Sequence, residues 1–258
     1  MKILLAADCD IESNMLGDLN ALAIKVDLAD PFSEVGSIAQ HSGPYDAVLL
    51  YVRSISPVVR AVLRGIRARK LRMPVLVIAM RTNPEEELDA LNVGADDVLT
   101  MPVSPGIITA RLKAVHRRTL GHVSSVLMCG NVTLDQVHRR VIVDGRRAAI
   151  TARETQILEL LLLRQNMVLS KEHFLDRLYS EGELPDQRVL DVFVCKLRRK
   201  LAAVGAAEII RTLWGTGYVA EEPSPTELRA ARERFAAGEP RRRRAHLQRM
   251  DEPRLAVA

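Results

Sequence analysis

The chain has 258 residues, more than one average domain needs, so two domains are expected. Hydrophobic residues make up 48% of it and charged residues 27%, which excludes a disordered, collagen-like or coiled-coil protein. No apolar run reaches membrane-spanning length and the start of the chain lacks a secretory signal, so we expect a cytoplasmic protein with no membrane contact. Cys9, Cys129 and Cys195 show no metal-binding spacing and are expected to be reduced thiols.

The net charge of +5 is unevenly distributed along the chain. Residues 1–118 carry equal numbers of basic and acidic residues, so the whole basic excess lies in residues 119–258. An excess of this kind favours a polyanionic partner for the C-terminal part of the chain and not for the N-terminal part.

Three short apolar runs in the first half predict parallel strands buried on both faces, at residues 2–6, 45–51 and 74–79. A fourth strand is expected within residues 94–102. Segments with helical spacing of apolar residues accompany them, at residues 56–69, 83–93 and 107–118. This alternation predicts an α/β, doubly wound domain over residues 1–118.

The first half resembles the receiver domain of two-component response regulators, which has a flavodoxin-like fold. The resemblance rests on the stretches Lys2–Asp8, Tyr45–Leu50 and Gly94–Pro102. It implies a carboxylate cluster for Mg²⁺, a phosphorylated aspartate, and a hydroxyl, a lysine and an aromatic residue that sense the phosphoryl group.

The residues at those positions depart from the receiver pattern. Tyr51 stands at the phosphoacceptor position, and the three switch positions hold Ala79, Val98 and Met101. A phenol cannot form an acyl phosphate, and neither alanine nor methionine can bind one. We therefore predict a degenerate receiver that works without aspartyl phosphorylation and has lost its Mg²⁺ site.

Two acids of the Mg²⁺ cluster region remain, Asp8 and Asp10, while Ala7 stands where the first acid is expected. They are either a weak metal site or a solvated strand end, and no metal or other cofactor is predicted. The resemblance also implies a dimer face, although its members could equally be ordinary surface charges. These members are Asp96, Asp97, Arg111 and Arg118.

The second half begins after a small, polar linker at residues 119–125. Short strand-like segments follow, and Asp144-Gly145 is a strong hairpin signal. Thr151 and Glu154 form a capping box at the start of a helix, and further helices are predicted at residues 171–179 and from Asp186 to Ala203. With a glycine-bearing hairpin at residues 209–220, these elements predict an α+β winged helix-turn-helix over residues 126–222.

The third of these helices is amphipathic. Its apolar stripe consists of Leu190, Val194, Leu197 and Leu201, and its opposite side is mainly cationic. Long cationic side chains on one face of a helix suit the major groove of DNA, whereas a solvated basic face is the alternative.

This region closely resembles the effector domain of the OmpR/PhoB family, and an alphaproteobacterial branch of that family in particular. The resemblance rests on Lys171–Tyr179, Leu190–Leu201 and Trp214–Val219. It implies base reading by Arg188, Val192, Lys196 and Arg199. It also implies contacts to phosphates and the minor groove by Arg198, Lys200, Trp214 and Thr216, although Trp214 could equally be a core residue.

The same resemblance implies double-stranded DNA with A·T-rich, TTAA-like half-sites, bound by two copies of the chain. It also implies that the loop Ser180–Gln187 can contact RNA polymerase. Residues 223–258 extend beyond the resemblance and are predicted to be a basic, flexible tail with room for one short helix at residues 226–237. Its run Arg241–Arg244 either adds phosphate contacts or is inert.

The interpretation favoured by these features is a sequence-specific transcription regulator that needs no phosphorylation. The alternative is an interaction protein that titrates another response regulator through mixed dimers. An enzyme is not expected, because no nucleophile and base pair, phosphate loop or complete metal set is evident.

Overall fold

The computed structural model describes residues 1–179 and 185–238. Within these ranges the chain forms a parallel α/β domain followed by a winged helix-turn-helix domain, as predicted. The elements of the first domain are β1 (Lys2–Ala7), α1 (Met15–Ala21), β2 (Lys25–Ala29), a 3-10 turn (Phe32–Glu34), α2 (Val35–His41), β3 (Ala47–Val52), α3 (Pro57–Ala68), β4 (Val75–Ala79), α4 (Pro84–Val93), β5 (Asp97–Thr100) and α5 (Pro105–Thr119).

The five strands form one parallel sheet in the order β2-β1-β3-β4-β5, with helices on both faces. Residues of α2 and α3 pack on one face and residues of α1 and α5 on the other. Every residue of β3 and β4 is buried, which explains why these strands are continuous apolar runs. The prediction of a doubly wound domain is confirmed.

Sequence reasoning did not identify β2, α1 or α2. In β2 only Ala29 is buried, because this strand lies at the edge of the sheet and carries charged residues at Lys25 and Asp27. An edge strand of this kind has no apolar run by which to find it. The three helices that were predicted all begin with a capping residue followed by proline, and each capping side chain accepts a backbone N–H of the first turn.

The second domain begins with an antiparallel sheet in the order β6-β7-β8-β9. Three helices follow, and a second sheet in the order β10-β12-β11 ends in the wing hairpin. Its elements are β6 (Val126–Cys129), β7 (Val132–Asp135), β8 (Arg140–Val143), β9 (Arg146–Arg147), α6 (Ala152–Leu163), β10 (Leu169–Ser170), α7 (Lys171–Leu178), α8 (Arg188–Ala203), β11 (Ile210–Leu213), β12 (Gly217–Ala220) and α9 (Pro225–Ala236).

Two local signals in this domain are confirmed. Asp144 and Gly145 both have positive φ, as a two-residue hairpin turn requires. The Thr151–Glu154 capping box is present at the start of α6. Asp186 was predicted to cap the third helix, and its carboxylate accepts the backbone N–H of Arg188, the first residue of α8.

The short helix predicted at residues 226–237 is present as α9 (Pro225–Ala236), and this part of the predicted tail packs on the rest of the chain. Helix α9 packs on the winged domain through Phe235, which lies against Gly205 and under the guanidinium of Arg146. Arg232 donates two hydrogen bonds to Asp144. The basic run Arg241–Arg244 lies outside the described residues.

The predicted linker at residues 119–125 is not a free tether. Helix α5 continues to Thr119, and Leu120 packs against the core of the second domain. The His122 ring lies within hydrogen-bond distance of the Leu163 carbonyl oxygen, at 3.1 Å. The two domains are therefore in contact at the point where the chain passes from one to the other.

Candidate nucleic-acid interface

Helix α8 has one buried and one exposed face. The predicted stripe of Leu190, Val194, Leu197 and Leu201 is buried in the domain core. The four side chains predicted to read bases all lie on the exposed face: Arg188, Val192, Lys196 and Arg199. This arrangement offers three cations and one apolar group to a groove, and Val192 is 51% exposed.

Arg198 does not lie on that exposed face, although it was predicted to contact phosphate. Its guanidinium donates to the backbone oxygen of Ile210 and to the hydroxyl of Thr212, both on β11. It also lies 5.7 Å from the centre of the Tyr218 ring. Arg198 therefore joins α8 to the wing, and its donors are committed within the domain.

Lys200 likewise turns inward. Its ammonium group lies 2.7 Å from a carboxylate oxygen of Glu154, whose side chain is 2% exposed. Burial would raise the pKa of Glu154, but Lys200 and the Thr151 backbone N–H hold this pKa below its usual value. In the structure this lysine balances a buried charge at the start of α6, and its phosphate contact stays a prediction.

Asp191, in the first turn of α8, is a contact that sequence reasoning missed. Its carboxylate accepts the hydroxyl hydrogen of Tyr218 at 2.5 Å and pairs with Lys171 at 2.8 Å. Burial, followed by the Asp191 carboxylate, raises the pKa of Tyr218, so this hydroxyl remains a donor. A lone acid on an otherwise cationic helix was the only signal in the sequence that could have indicated this contact.

The wing hairpin projects its tip into solvent. Trp214 is 87% exposed and Thr216 is also exposed. Trp214 is therefore an exposed wing residue and not a core residue. Gly217 follows at a close approach of two strands, where a Cβ atom would lie 2.0 Å from the Leu169 carbonyl oxygen. Only glycine therefore allows β12 to pair with β10.

Tyr51, at the position that the receiver resemblance assigns to the phosphoacceptor, is fully buried in the sheet core. Its hydroxyl donates to the Sδ atom of Met80 at 3.1 Å, and burial raises its pKa. Met101 packs at the edge of the core that contains Tyr51, whereas Ala79 and Val98 are buried in the core on the other face of the sheet. The four predicted positions are thus apolar or buried and are divided between the two faces.

The acids beside Tyr51 do not fit a Mg²⁺ site. Asp8 accepts the backbone N–H of Arg53 at 2.8 Å, and both Asp8 and Asp10 are exposed strand-end residues. Mg²⁺ takes six oxygen ligands in strict octahedral geometry, and two solvated carboxylates with an alanine at the third position match it poorly. Among residues 1–179 and 185–238, no group of three or more His, Cys, Asp or Glu is suited to hold a metal.

The four predicted dimer-face residues have different surroundings. Asp96 is held by Arg67 at 2.6 Å and by the N–H of Val75, so its carboxylate is committed within its own chain. Asp97 pairs with Arg111 at 3.3 Å, and Arg118 is exposed. Three apolar side chains are exposed on the two helices that flank β5 in the sequence, Leu88 and Leu91 on α4 and Ile107 on α5.

Two further expectations concern the rest of the chain. The loop Ser180–Gln187, predicted to contact RNA polymerase, lies mostly outside the described residues. No helix in the described part of the chain is both long and apolar enough to cross a bilayer.

A parallel five-stranded receiver-like domain joined to a winged helix-turn-helix with an exposed basic helix defines a two-domain transcriptional response regulator. A family model described as "Transcriptional regulatory protein, C terminal" matches residues 145–220. The chain is also 39% identical over 180 residues to the cell cycle response regulator CtrA of Brucella anthropi and, separately, to that of Brucella ovis. Each alignment covers 69% of this chain and 78% of the relative.

The chain belongs to the OmpR/PhoB family of response regulators and is related to CtrA. It is a DNA-binding transcription regulator and not an enzyme. Among solved structures, the response regulator DrrB of Thermotoga maritima is 21% identical with a TM-score of 0.38, over 85% of this chain and 98% of that one.

Proposed function

We propose that two copies of this regulator bind paired A·T-rich, TTAA-like half-sites in cytoplasmic DNA, and that they do so without aspartyl phosphorylation. The burial of Tyr51 is the observation that supports function without aspartyl phosphorylation. Its ring fills the core where an acceptor carboxylate would have to meet solvent and a phosphodonor. Phosphoryl transfer to a phenol also gives an ester, which lacks the acyl phosphate chemistry of the family.

The exposed face of α8 supports the DNA-reading part of the proposal. Arginine and lysine donate to acceptors on base edges in the major groove, which in A·T pairs are adenine N7 and thymine O4, and an aliphatic group such as that of Val192 contacts a thymine methyl. An exposed Trp214 on the wing supplies a flat apolar group for the adjacent backbone or minor groove. Because Arg198 and Lys200 are committed within the domain, phosphate contacts would come from other groups around the helix.

The test is fluorescence anisotropy of the full chain, without phosphodonor, on a duplex with two spaced TTAA half-sites and on a shuffled duplex. At physiological salt we expect a preference of about 10³-fold or more for the first duplex. Lys196→Ala should weaken that preference, whereas Arg64→Ala removes an exposed cation from α3 and should not change it. Equal binding to both duplexes would contradict the proposed half-site.

The phosphorylation part is tested separately. The intact protein is incubated with Mg²⁺ and acetyl phosphate, and its mass is measured before and after hydroxylamine treatment. We expect no hydroxylamine-labile phosphate and an unchanged binding curve. A labile phosphate that raises affinity would contradict the proposal.

A second candidate function is titration of another response regulator through mixed dimers. The exposed apolar side chains of Leu88 and Leu91 on α4 and of Ile107 on α5 favour it, since exposed apolar surface suits a protein partner. Sedimentation velocity distinguishes the two functions. Titration predicts a monomer alone and a tight dimer with a full receiver protein, abolished by Leu88→Glu, whereas specific DNA binding by the isolated protein contradicts it.

A further inference from the structure

Asp46 lies just before β3 and connects the two domains. Its Oδ1 atom accepts hydrogen bonds from Arg164 at 2.7 Å and from Arg177 at 2.9 Å, both in the winged domain. Its Oδ2 atom accepts the backbone N–H of Lys2 at 2.9 Å within its own domain. One carboxylate thus joins the start of the receiver-like sheet to the end of α6 and to α7.

This contact is buried from solvent. The side chains of Asp46 and Arg177 are each 1% exposed and that of Arg164 is 10% exposed. Burial alone would raise the pKa of Asp46, but the surrounding groups, Arg177 first among them, together hold this pKa well below its usual range. Burial lowers the pKa of the neighbouring His116 to about 4, so at neutral pH the ring adds no charge to the contact.

A second ionic contact lies beside the first. Lys2, on β1, pairs with Asp176 of α7 at 2.8 Å and with Asp27 of β2 at 3.1 Å. Lys25 donates to the backbone oxygen of Asp176 at 2.9 Å. Because Asp176 adjoins Arg177 on α7, two consecutive residues of this helix are fixed to the same edge of the receiver-like sheet.

These contacts between the domains lie away from the exposed face of α8. They occupy the amino ends of β1, β2 and β3, opposite the edge that carries Tyr51, and they engage α6 and α7. None of the four exposed side chains predicted to read bases on α8 takes part. The joined arrangement therefore leaves the DNA-reading face open.

We propose that Asp46 is a positioning residue that holds the effector domain at one orientation on the receiver-like domain and so makes the protein selective for half-site spacing. This inference rests on the proposed function, because it concerns how two copies share one DNA molecule. When two receiver-like domains pair, a flexible connection lets the effector domains reach half-sites at several separations. A fixed connection allows only one separation of the two half-sites, together with separations that differ from it by whole turns of the DNA helix.

The central variant is Asp46→Asn, which removes the charge but keeps an oxygen for the Lys2 N–H. The matched control is Asp89→Asn, which breaks the exposed ion pair with Arg60 inside the receiver-like domain. Three quantities are measured on the full chain: the small-angle X-ray scattering profile, the rate of proteolytic cleavage within residues 119–125, and anisotropy on duplexes of different half-site spacing.

We expect wild type and Asp89→Asn to bind one spacing at least tenfold more tightly than spacings about half a helical turn away. Asp46→Asn should lose that preference while keeping its affinity for a single half-site. Its maximum dimension in scattering should increase, and linker cleavage should accelerate at least tenfold. A folded Asp46→Asn protein with the wild-type profile, cleavage rate and spacing preference would overturn the inference.

Two further arms keep the test decisive. If Asp46→Asn does not fold, Arg177→Gln removes the contact with Asp46 from the effector side. The milder Asp176→Asn weakens the neighbouring contact with Lys2, and both variants should change scattering, cleavage and spacing preference in the same direction as Asp46→Asn. If wild type does not distinguish TTAA from shuffled duplexes, the proposed half-site is wrong. The scattering and cleavage measurements then still support or overturn the role of Asp46, because neither involves DNA.

Discussion

Tyr218 on the wing donates its hydroxyl hydrogen to the carboxylate of Asp191 on α8, across 2.5 Å. The same tyrosine ring packs edge-on against Phe174 of α7 and lies beside the guanidinium of Arg198. One side chain therefore contacts α7, α8 and the wing, the three elements whose relative positions decide whether helix and wing meet DNA together.

Removing the Tyr218 hydroxyl should loosen this arrangement without leaving a cavity. A hydrogen bond to a charged group contributes about 1.5–3 kcal/mol, and Lys171 still pairs with Asp191 in Tyr218→Phe, so we expect a loss of about 1–2 kcal/mol in unfolding free energy. The ratio of specific to non-specific DNA affinity should fall about tenfold. Urea unfolding and anisotropy measure these quantities, and an unchanged affinity ratio would show that the contact has no part in recognition.

Lys196 and Lys200 should respond differently to alanine substitution. Lys196→Ala should cost about 1–3 kcal/mol of discrimination at one base pair and leave unfolding unchanged, because its side chain is exposed on α8. Lys200→Ala leaves the buried Glu154 carboxylate without its cation and should lower the unfolding free energy by about 1–3 kcal/mol. Its salt dependence of DNA binding should remain that of wild type.

A double-mutant cycle with Glu154→Gln separates the two roles of Lys200. If the pair is structural, Lys200→Ala should be less destabilising in the Glu154→Gln background. A flatter salt dependence for Lys200→Ala, with normal stability, would instead restore this lysine to phosphate binding.

Trp214 should matter for DNA and not for folding. Its ring is 87% exposed, so Trp214→Ala removes little buried surface and should leave the melting temperature within a degree or two of wild type. Affinity for the paired half-sites should fall, since the flat group at the wing tip is lost. A large drop in melting temperature for Trp214→Ala would contradict this assignment.

Stability should decline as the pH falls from about 6.5 to 4. Burial lowers the pKa of His116 to about 4, below the value of about 6.5 in an unfolded chain, so only the unfolded state gains this proton in that interval. The contribution is up to about 3 kcal/mol for His116, and His173, whose pKa is also lowered to about 4 by burial, acts in the same direction. Asp46, whose pKa is lowered, loses its contribution only at still lower pH.

Urea unfolding at a series of pH values measures this effect. His116→Gln should give a flatter dependence between pH 6.5 and 4, because it removes one of the two groups. A wild-type unfolding free energy that stays constant over this interval would mean that the two rings are accessible to protons in the folded state.

Two truncations should separate the roles of the C-terminal segment. Ending the chain after Glu222 removes α9 with its Arg232–Asp144 and Phe235–Arg146 contacts and should lower the melting temperature. Ending it after Gly238 keeps α9 and should leave stability unchanged. If the basic run beyond it contacts phosphates, this shorter truncation weakens DNA binding at low salt and reduces the salt dependence. Equal affinity at about 50 mM salt would show that the run is inert.

Elements with strong local signals could be predicted from the sequence alone. The capping pairs at Asn83 and Thr151, the turn at Asp144-Gly145 and the apolar runs of β3 and β4 each act over a few residues, so their structures follow from short-range chemistry. The same holds for the buried stripe of α8, because helical periodicity assigns its two faces. The replacement of a carboxylate by Tyr51 is likewise visible without any structure.

Contacts between distant residues were decided only by the tertiary structure. Arg198 and Lys200 lie between the buried and the exposed face of α8, where helical periodicity cannot predict whether a side chain contacts solvent or a neighbouring element. In the structure both side chains bind partners within the domain. Asp46 lies more than a hundred residues from Arg164 and Arg177, and no spacing rule connects them. A charge is held by whichever opposite charge the packing brings near it, and that depends on how the two domains are placed together.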